Sequence, residues 1–186
     1  MTIAGVVLAA GAGTRAGGPK ALRVREDGEP WVAVAAQALR DAGCSPVLVV
    51  LGAGAAEATD VVPPWAEVVI AQAWAEGQSA SLRAALAHAA DAIDALAVAV
   101  TLADLPHQTS QAARRVIDAV AEHRTGLARA VYHGVPAHPV VIGRDHWDAL
   151  MATLAGDTGA RDYLATHQAL EVDCSDLHGG EDVDGA

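Results

Sequence analysis

The chain has 186 residues, 52% of them hydrophobic, which excludes a disordered chain and allows one large domain with a substantial core. Acidic residues number 23 against 12 basic ones, a formal net charge of −11, so the basic surface of a general nucleic-acid binder is missing. Cys44 and Cys174 form no metal-ligand spacing, which favours a reducing cytoplasm, and no apolar run reaches the roughly 18 residues that span a bilayer.

Short β-branched segments alternate with alanine-rich helical segments along the chain. The pattern predicts strands over residues 4–9, 46–51, 67–71, 96–102, 128–132, 139–142 and 169–172. It predicts helices over residues 31–42, 79–93, 110–123, 147–154 and 160–167. Near-continuous apolar strands separated by helices are typical of an α/β fold whose sheet is covered on both faces. We expect one domain over residues 1–186, with a mixed sheet and a partly mobile acidic tail over residues 175–186.

The first predicted strand leads into a glycine-rich loop that ends at Pro19 and Lys20. Small residues let the backbone approach a phosphate, and Arg15 and Lys20 add positive charge. A Walker A loop is excluded because Pro19 stands where lysine is required. Residues 11–16 match the dinucleotide fingerprint G-x-G-x-x-A, but the second predicted strand ends without the acidic residue that this fingerprint needs. The backbone candidates for nucleotide binding are Leu8, Ala9, Ala10, Gly11, Ala12, Gly13 and Thr14.

Asp104 directly follows the apolar strand predicted over residues 96–102. In open α/β sheets, ligands bind beyond the carboxyl ends of the strands. Mg²⁺ prefers one or two carboxylates together with phosphate oxygens and water. Asp104 is therefore a predicted metal ligand. Its alternative role, capping the next helix, is disfavoured because Thr109 and Ser110 lie closer to that helix.

A second candidate segment, residues 74–83, joins the third predicted strand to a helix. Ser79 is a suitable residue to cap that helix. The free backbone amides of the first turn could then meet a nucleobase or an anion.

Several of these segments resemble the MobA-like nucleoside-triphosphate transferases. The glycine loop reads L-A-A-G-x-G-x-R-x-G-G-P-K, residues 74–82 read W-A-E-G-x-S-x-S-L, and Asp104 begins D-x-P. Residues 134–140 and 156–161 read G-x-P-x-H-P-V and G-D-x-G-A-R, which resemble the acceptor side of the molybdenum-cofactor cytidylyltransferase branch. The resemblance implies a single Rossmann-like three-layer α/β/α sandwich with a mixed, mostly parallel sheet, of the nucleotide-diphospho-sugar transferase type.

The resemblance also implies roles for individual residues. Arg15 and Lys20 would hold the triphosphate, Lys20 at the α-phosphate. Gln78 and Ser79 would contact the base. His138 and Arg161 would hold the phosphate of the acceptor. The metal, Mg²⁺ or Mn²⁺, would be bound by Asp104 and by a second carboxylate near the C-terminus, where Asp184 is the candidate and a solvated acidic tail is the alternative.

The implied reaction transfers a nucleoside monophosphate from an NTP, with CTP favoured, to a phosphorylated acceptor, with molybdopterin favoured. A molybdoenzyme or its chaperone is a further expected partner, and neither nucleic acid nor a membrane is expected. Departures from the family pattern, among them Ala16, Ala71 and Ala137, keep two alternatives open. One is transfer to another phosphorylated small molecule, such as a sugar phosphate or a phospholactate. The other is a non-catalytic nucleotide-binding accessory protein of molybdoenzyme maturation.

Overall fold

The computed structural model describes residues 2–13, 18–105, 107–120 and 122–177, and within them one seven-stranded sheet in the order β3-β2-β1-β4-β6-β5-β7. The strands are β1 (Thr2–Leu8), β2 (Val47–Leu51), β3 (Glu67–Ile70), β4 (Ala95–Leu102), β5 (Leu127–Tyr132), β6 (Val135–Gly143) and β7 (Leu170–Asp173). The α-helices are α1 (Trp31–Asp41), α2 (Ala55–Thr59), α3 (Gln78–Ala92), α4 (Ser110–Asp118), α5 (Trp147–Thr153) and α6 (Arg161–Thr166).

The sheet is mixed and mostly parallel, because β6 alone among its strands runs against its neighbours. In register, Leu8 of β1 lies beside Leu102 of β4, and Val100 of β4 lies beside Val140 of β6. The carboxyl ends of β1 and β4 therefore meet at one edge of the sheet. The amino end of β6 reaches the same edge from the opposite direction.

Helices cover both faces of this sheet and form two separate hydrophobic clusters. One face buries side chains of α1, α2 and α4, and the other buries side chains of α3, α5 and α6. The three-layer α/β/α sandwich expected from the sequence is confirmed. Burial on both faces explains why the central strands read as continuous apolar runs.

Small residues in the strands allow close helix packing in a chain that contains no phenylalanine. A Cβ added at Gly5 of β1 would lie 3.1 to 3.2 Å from atoms of Leu39 and Cys44. The glycine therefore brings α1 directly onto the backbone of the central strand. Large side chains fill the opposite face, where the fully buried Trp147 donates its indole N–H to the carbonyl of Ile142 at 3.0 Å.

Three expectations from the sequence need correction. The helix predicted over residues 110–123 ends at Asp118, because the Val120 amide bonds to the Ile117 carbonyl and tightens the last turn. Helix α2 was not predicted, since five residues carry too short a periodic pattern. Strand β6 is longer than predicted and begins at Val135, so residues 135–138 belong to a strand and not to the link before it.

The beginning of the acidic tail is attached to the fold as far as the structure describes it. Arg115 of α4 donates to both carboxylate oxygens of Asp176 and to the carbonyl of Asp173. Leu177 packs against the core. Residues 178–186 lie outside the described residues. Among the helices that are described, none combines the length and the apolar character that crossing a membrane requires.

Thr109 caps α4, as the sequence suggested: its hydroxyl accepts a hydrogen bond from the Ala112 amide at 3.2 Å. We expect Thr109→Ala to lower the free energy of unfolding by about 1 kcal/mol, because one amide of the first turn loses its partner. Thr109→Ser keeps the oxygen and should stay close to wild type. Urea denaturation followed by circular dichroism measures both, and equal loss in the two variants would contradict the capping role.

A candidate nucleotide and metal site at the carboxyl edge of the sheet

A cavity of about 450 Å³ opens at the edge where β1 and β4 end. Its wall combines the glycine loop, the segment before α3, the end of β4 and one residue from the loop before α6. The lining residues are Leu8, Ala10, Gly11, Ala12, Lys20, Trp74, Ala75, Gly77, Gln78, Ser81, Leu102, Asp104 and Asp157. Segments that are distant in sequence, each singled out by its residue pattern, thus share one cavity.

The described part of the glycine loop turns back on itself and presents Lys20. The amide of Gly18 donates to the carbonyl of Gly13 at 3.3 Å, and the amide of Lys20 donates to the carbonyl of Gly11 at 3.2 Å. Gly13 has φ of +57°, and a Cβ there would lie 1.9 Å from the Gly18 carbonyl oxygen. Only glycine is compatible with this closure. Thr14 and Arg15 lie outside the described residues, so their predicted contacts with a triphosphate stay predictions.

Lys20 and Asp104 form an ion pair at the floor of the cavity. Lys20 begins a short 3-10 helix, Lys20–Leu22, and Asp104 follows β4 by two residues. The Asp104 side chain is 4% exposed, whereas that of Lys20 is 36% exposed. A nearly buried carboxylate needs a cationic partner. Lys20 provides it here, and a divalent cation could provide it equally well.

Ser79 does not cap α3, and the predicted free amides are already bound. Gly77 precedes the helix instead. The Gln78 amide donates to Oδ1 of Asp157 at 3.2 Å, and the Ser79 amide donates to the Gly156 carbonyl at 3.0 Å. The Ser79 side chain is also buried, so the structure does not bring it into the cavity. The first turn of α3 is therefore closed to an external anion.

The polar side chains of α3 that do line the cavity are Gln78 and Ser81. Ser81 was missed in the sequence, although it lies inside the segment W-A-E-G-x-S-x-S-L that had been singled out. Trp74, half-buried, also lines the cavity. A Cβ at Gly52 would lie 2.5 Å from Cβ of Trp74, so the glycine after β2 makes room for the tryptophan. A planar ring and two polar groups together suit a heterocyclic base.

His138, predicted on the acceptor side, lies near Asp104 and near Arg161, the other predicted acceptor contact. His138 stands in β6, and burial lowers its pKa from the ordinary 6.5 to about 4, against the opposing effect of the Asp104 carboxylate. The nearby Arg161 guanidinium lowers it further. His138 is therefore neutral at pH 7 and can donate or accept one hydrogen bond without adding charge. Arg161, at the start of α6, is the charged group of this pair.

The described residues contain no cluster of three or more His, Cys, Asp or Glu side chains able to hold a metal ion. Asp184, the predicted second metal ligand, lies outside the described residues. Within the cavity wall the carboxylates are Asp104 and Asp157. One or two carboxylates suit a Mg²⁺ ion that also binds phosphate oxygens and water. These carboxylates therefore suit a metal ion that takes its other ligands from a triphosphate and water. They do not suit a structural metal site whose ligands all come from the protein.

Comparison with known families gives a match over most of the chain. Residues 5–172 match the MobA-like NTP transferase domain. A curated relative, the nicotine blue oxidoreductase of Paenarthrobacter nicotinovorans, is 36% identical over 197 residues, which cover 98% of this chain and 92% of that protein.

Solved structures of similar proteins share the fold. Rv0371c from Mycobacterium tuberculosis H37Rv superposes with a TM-score of 0.78 at 27% identity, covering 93% of this chain and 88% of that one. Its complex with manganese gives a TM-score of 0.72 at 26% identity, with 93% and 87% covered. A nucleotidyl transferase from Methanothermobacter thermautotroptrophicus gives 0.69 at 22% identity, with 92% and 87% covered, and at that identity it supports the fold alone.

The lowered pKa of His138 predicts a loss of stability in mild acid. Between pH 6.5 and about 4, the unfolded chain binds a proton at His138 that the folded protein does not. The free energy of unfolding should therefore fall as the pH is lowered through this window. We expect an NMR titration midpoint near 4 for the His138 ring, and a shallower acid-induced decline in His138→Gln. A midpoint near 6.5 would contradict the burial argument.

Proposed function

The chain belongs to the MobA-like NTP transferase family, and from that premise we propose that it is a metal-dependent nucleotidyltransferase. It moves a nucleoside monophosphate from an NTP to a phosphorylated acceptor and releases pyrophosphate. The main observation behind the proposal is the ion pair between Lys20 and the buried Asp104. Both residues line the same cavity as the glycine loop. Phosphoryl-type transfer depends on positioning and on charge neutralisation, and this cavity provides groups for both.

Asp104 is the proposed metal ligand, with Mg²⁺ or Mn²⁺ as the ion. A divalent ion bound there would neutralise charge on the triphosphate. The manganese complex of Rv0371c supports divalent metal binding in a similar protein. Asp184 remains the proposed second carboxylate. Asp104 is well suited to its role because it directly follows the paired end of β4 and its side chain is buried.

Lys20 is the proposed group at the α-phosphate. Its ammonium holds Asp104 in the structure and is partly exposed to the cavity. Lysine has one charge on a flexible stem, so it can contact the carboxylate and a phosphate oxygen in turn. The loop from Leu8 to Gly13 would provide close backbone approach to the phosphates, and Arg15 would add charge. Donors aimed at developing charge typically contribute about 10²–10³ in rate.

His138 and Arg161 are the proposed acceptor contacts. Arg161 can bind a phosphate with two parallel hydrogen bonds. The neutral His138 can donate one more. The attacking oxygen belongs to the acceptor phosphate, so the reaction needs no covalent intermediate on the protein.

For the substrates we propose CTP and molybdopterin. The proposal rests on the resemblance of residues 9–11, 74–77, 138–140 and 156–161 to the cytidylyltransferase branch. Gln78 and Ser81 are the proposed polar contacts to the base, with Trp74 beside them. The site of action would be the cytoplasm, and a molybdoenzyme or its chaperone would receive the product. A sugar phosphate or a phospholactate is the alternative acceptor.

A second candidate function is oxidoreduction with a nicotinamide dinucleotide. The name of the 36% identical relative from Paenarthrobacter nicotinovorans favours it, and residues 11–16 match the G-x-G-x-x-A fingerprint. The local structure disfavours it, since β2 is followed by Gly52, Ala53 and Gly54 without a carboxylate for the ribose. The first α-helix described after β1 begins only at Trp31. Oxidation of NADH or NADPH in the presence of nicotine blue would establish this activity.

Pyrophosphate release tests the main proposal. CTP, GTP, ATP and UTP are each incubated with Mg²⁺ or Mn²⁺ and with molybdopterin or a panel of sugar phosphates and phospholactate. We expect release with CTP and molybdopterin. Release with another pair would keep the mechanism and replace the substrate. Binding of NTP without release from any pair would instead support the accessory-protein alternative.

Replacing Asp104 tests the metal site directly. We expect Asp104→Ala to lower kcat at least about 100-fold, because the metal loses its protein carboxylate. Asp148→Ala, which removes an exposed carboxylate of α5, is the matched control and should leave kcat unchanged. Near-wild-type turnover of Asp104→Ala at saturating metal would exclude Asp104 as the ligand.

A further inference from the structure

The loop over residues 155–159 is bound to the first turn of α3, although more than 70 residues separate the two segments. Asp157 and Gly156 of the loop accept hydrogen bonds from the backbone amides of Gln78 and Ser79. The Ser79 hydroxyl makes two further hydrogen bonds to the loop. It donates to the carbonyl of Ala155 at 3.0 Å and accepts from the amide of Gly159 at 3.2 Å. Arg83, one turn further along α3, donates to the carbonyl of Leu154.

Gly77 permits this close approach. Its φ is +111°, and a Cβ there would lie 2.5 Å from Oδ1 of Asp157 and 2.6 Å from the Gly156 carbonyl oxygen. Gly159 has φ of +56°, and the Gln78 side chain lies 3.7 Å from the position of its missing Cβ. Both glycines therefore sit at the contact between the loop and the helix. The contact depends on short backbone distances as well as on side-chain hydrogen bonds.

The same loop leads directly into the acceptor side of the site. The Arg161 amide donates to the Thr158 carbonyl at 3.2 Å, and α6 begins there. The first turn of α3, in contrast, carries Gln78 and Ser81 on the nucleotide side. Asp157 lies on the cavity wall and accepts a hydrogen bond from the Gln78 amide, four positions before Arg161 in the chain.

We propose that Asp157 is a positioning residue whose carboxylate holds the 155–159 loop on α3 and so sets the place of Arg161 relative to the nucleotide. This inference rests on the proposed function, because it concerns the acceptor of that reaction. Ser79 anchors the loop from inside the core, whereas Asp157 is exposed and can be replaced without opening a buried cavity. Loss of the Asp157 contact displaces the loop, and α3 stays fixed by its buried residues.

The test compares Asp157→Ala with Asp157→Asn, and Asp148→Ala is the control. Asparagine keeps a side-chain oxygen that accepts the Gln78 amide and removes only the charge. We expect Asp157→Ala to raise KM for the acceptor about tenfold or more, since small misplacements of a binding group are costly. KM for the NTP should stay within about twofold. Asp157→Asn and Asp148→Ala should both resemble wild type.

Two results would overturn the positioning role. Equal impairment of Asp157→Asn and Asp157→Ala would show that the charge of Asp157 contacts substrate or metal. A rise in KM for the NTP instead of the acceptor would place Asp157 on the nucleotide side.

Amide hydrogen exchange separates this inference from the proposed function. In Asp157→Ala, exchange over residues 155–161 should accelerate, while Asp157→Asn and Asp148→Ala keep the wild-type rates. Hydrogen exchange can be measured on a protein without enzymatic activity. If the wild-type protein shows no transferase activity, the proposed function is refuted, and hydrogen exchange still tests the loop contact. Unchanged exchange in Asp157→Ala would overturn the inference.

Discussion

The site depends on the parallel pairing of β1 with β4. This pairing places the glycine loop, which follows β1, beside Asp104, which follows β4. The strands are buried on both faces, so their backbone positions are fixed by packing as well as by hydrogen bonds. Lys20 then reaches Asp104 across 84 positions of sequence. In a protein with a net charge of −11, this pairing places one lysine in the cavity where a triphosphate is proposed to bind.

The charged and polar groups at this edge of the sheet differ in exposure. Asp104, two residues after β4, is nearly buried, and His138, in β6, is partly buried. Lys20 and Arg161 approach from the starts of short helices and are more exposed. Under the proposed function, the proposed metal ligand is thus held next to the sheet, and the proposed phosphate contacts lie on long, flexible side chains. Because His138 is neutral, Arg161 is the charged group of these two proposed acceptor contacts.

Much of this arrangement could be predicted from the sequence, because it follows from patterns within short segments of the chain. The α/β/α layers follow from apolar strands alternating with helices. The position of Asp104 follows from its place directly after β4, and the cap at Thr109 follows from residue type. The contacts of Ser79 could not be predicted, because a serine near a helix start suggests a cap, while its actual partners lie in the loop over residues 155–159. The contact of Asp157 could not be predicted either, because its partner is the Gln78 amide, 79 positions away in the sequence.

The hydrogen bonds that complete the first turn of α3 have a consequence for the order of folding. Their partners are separated by 76 to 80 positions of sequence, so they form only after the last third of the chain is available. The pairing of β1 with β4, in contrast, needs only residues up to Leu102. During synthesis, the sheet edge that carries Asp104 can therefore assemble before the first turn of α3 is completed. The nascent chain would acquire the edge with the proposed metal ligand before the wall with the proposed base contacts.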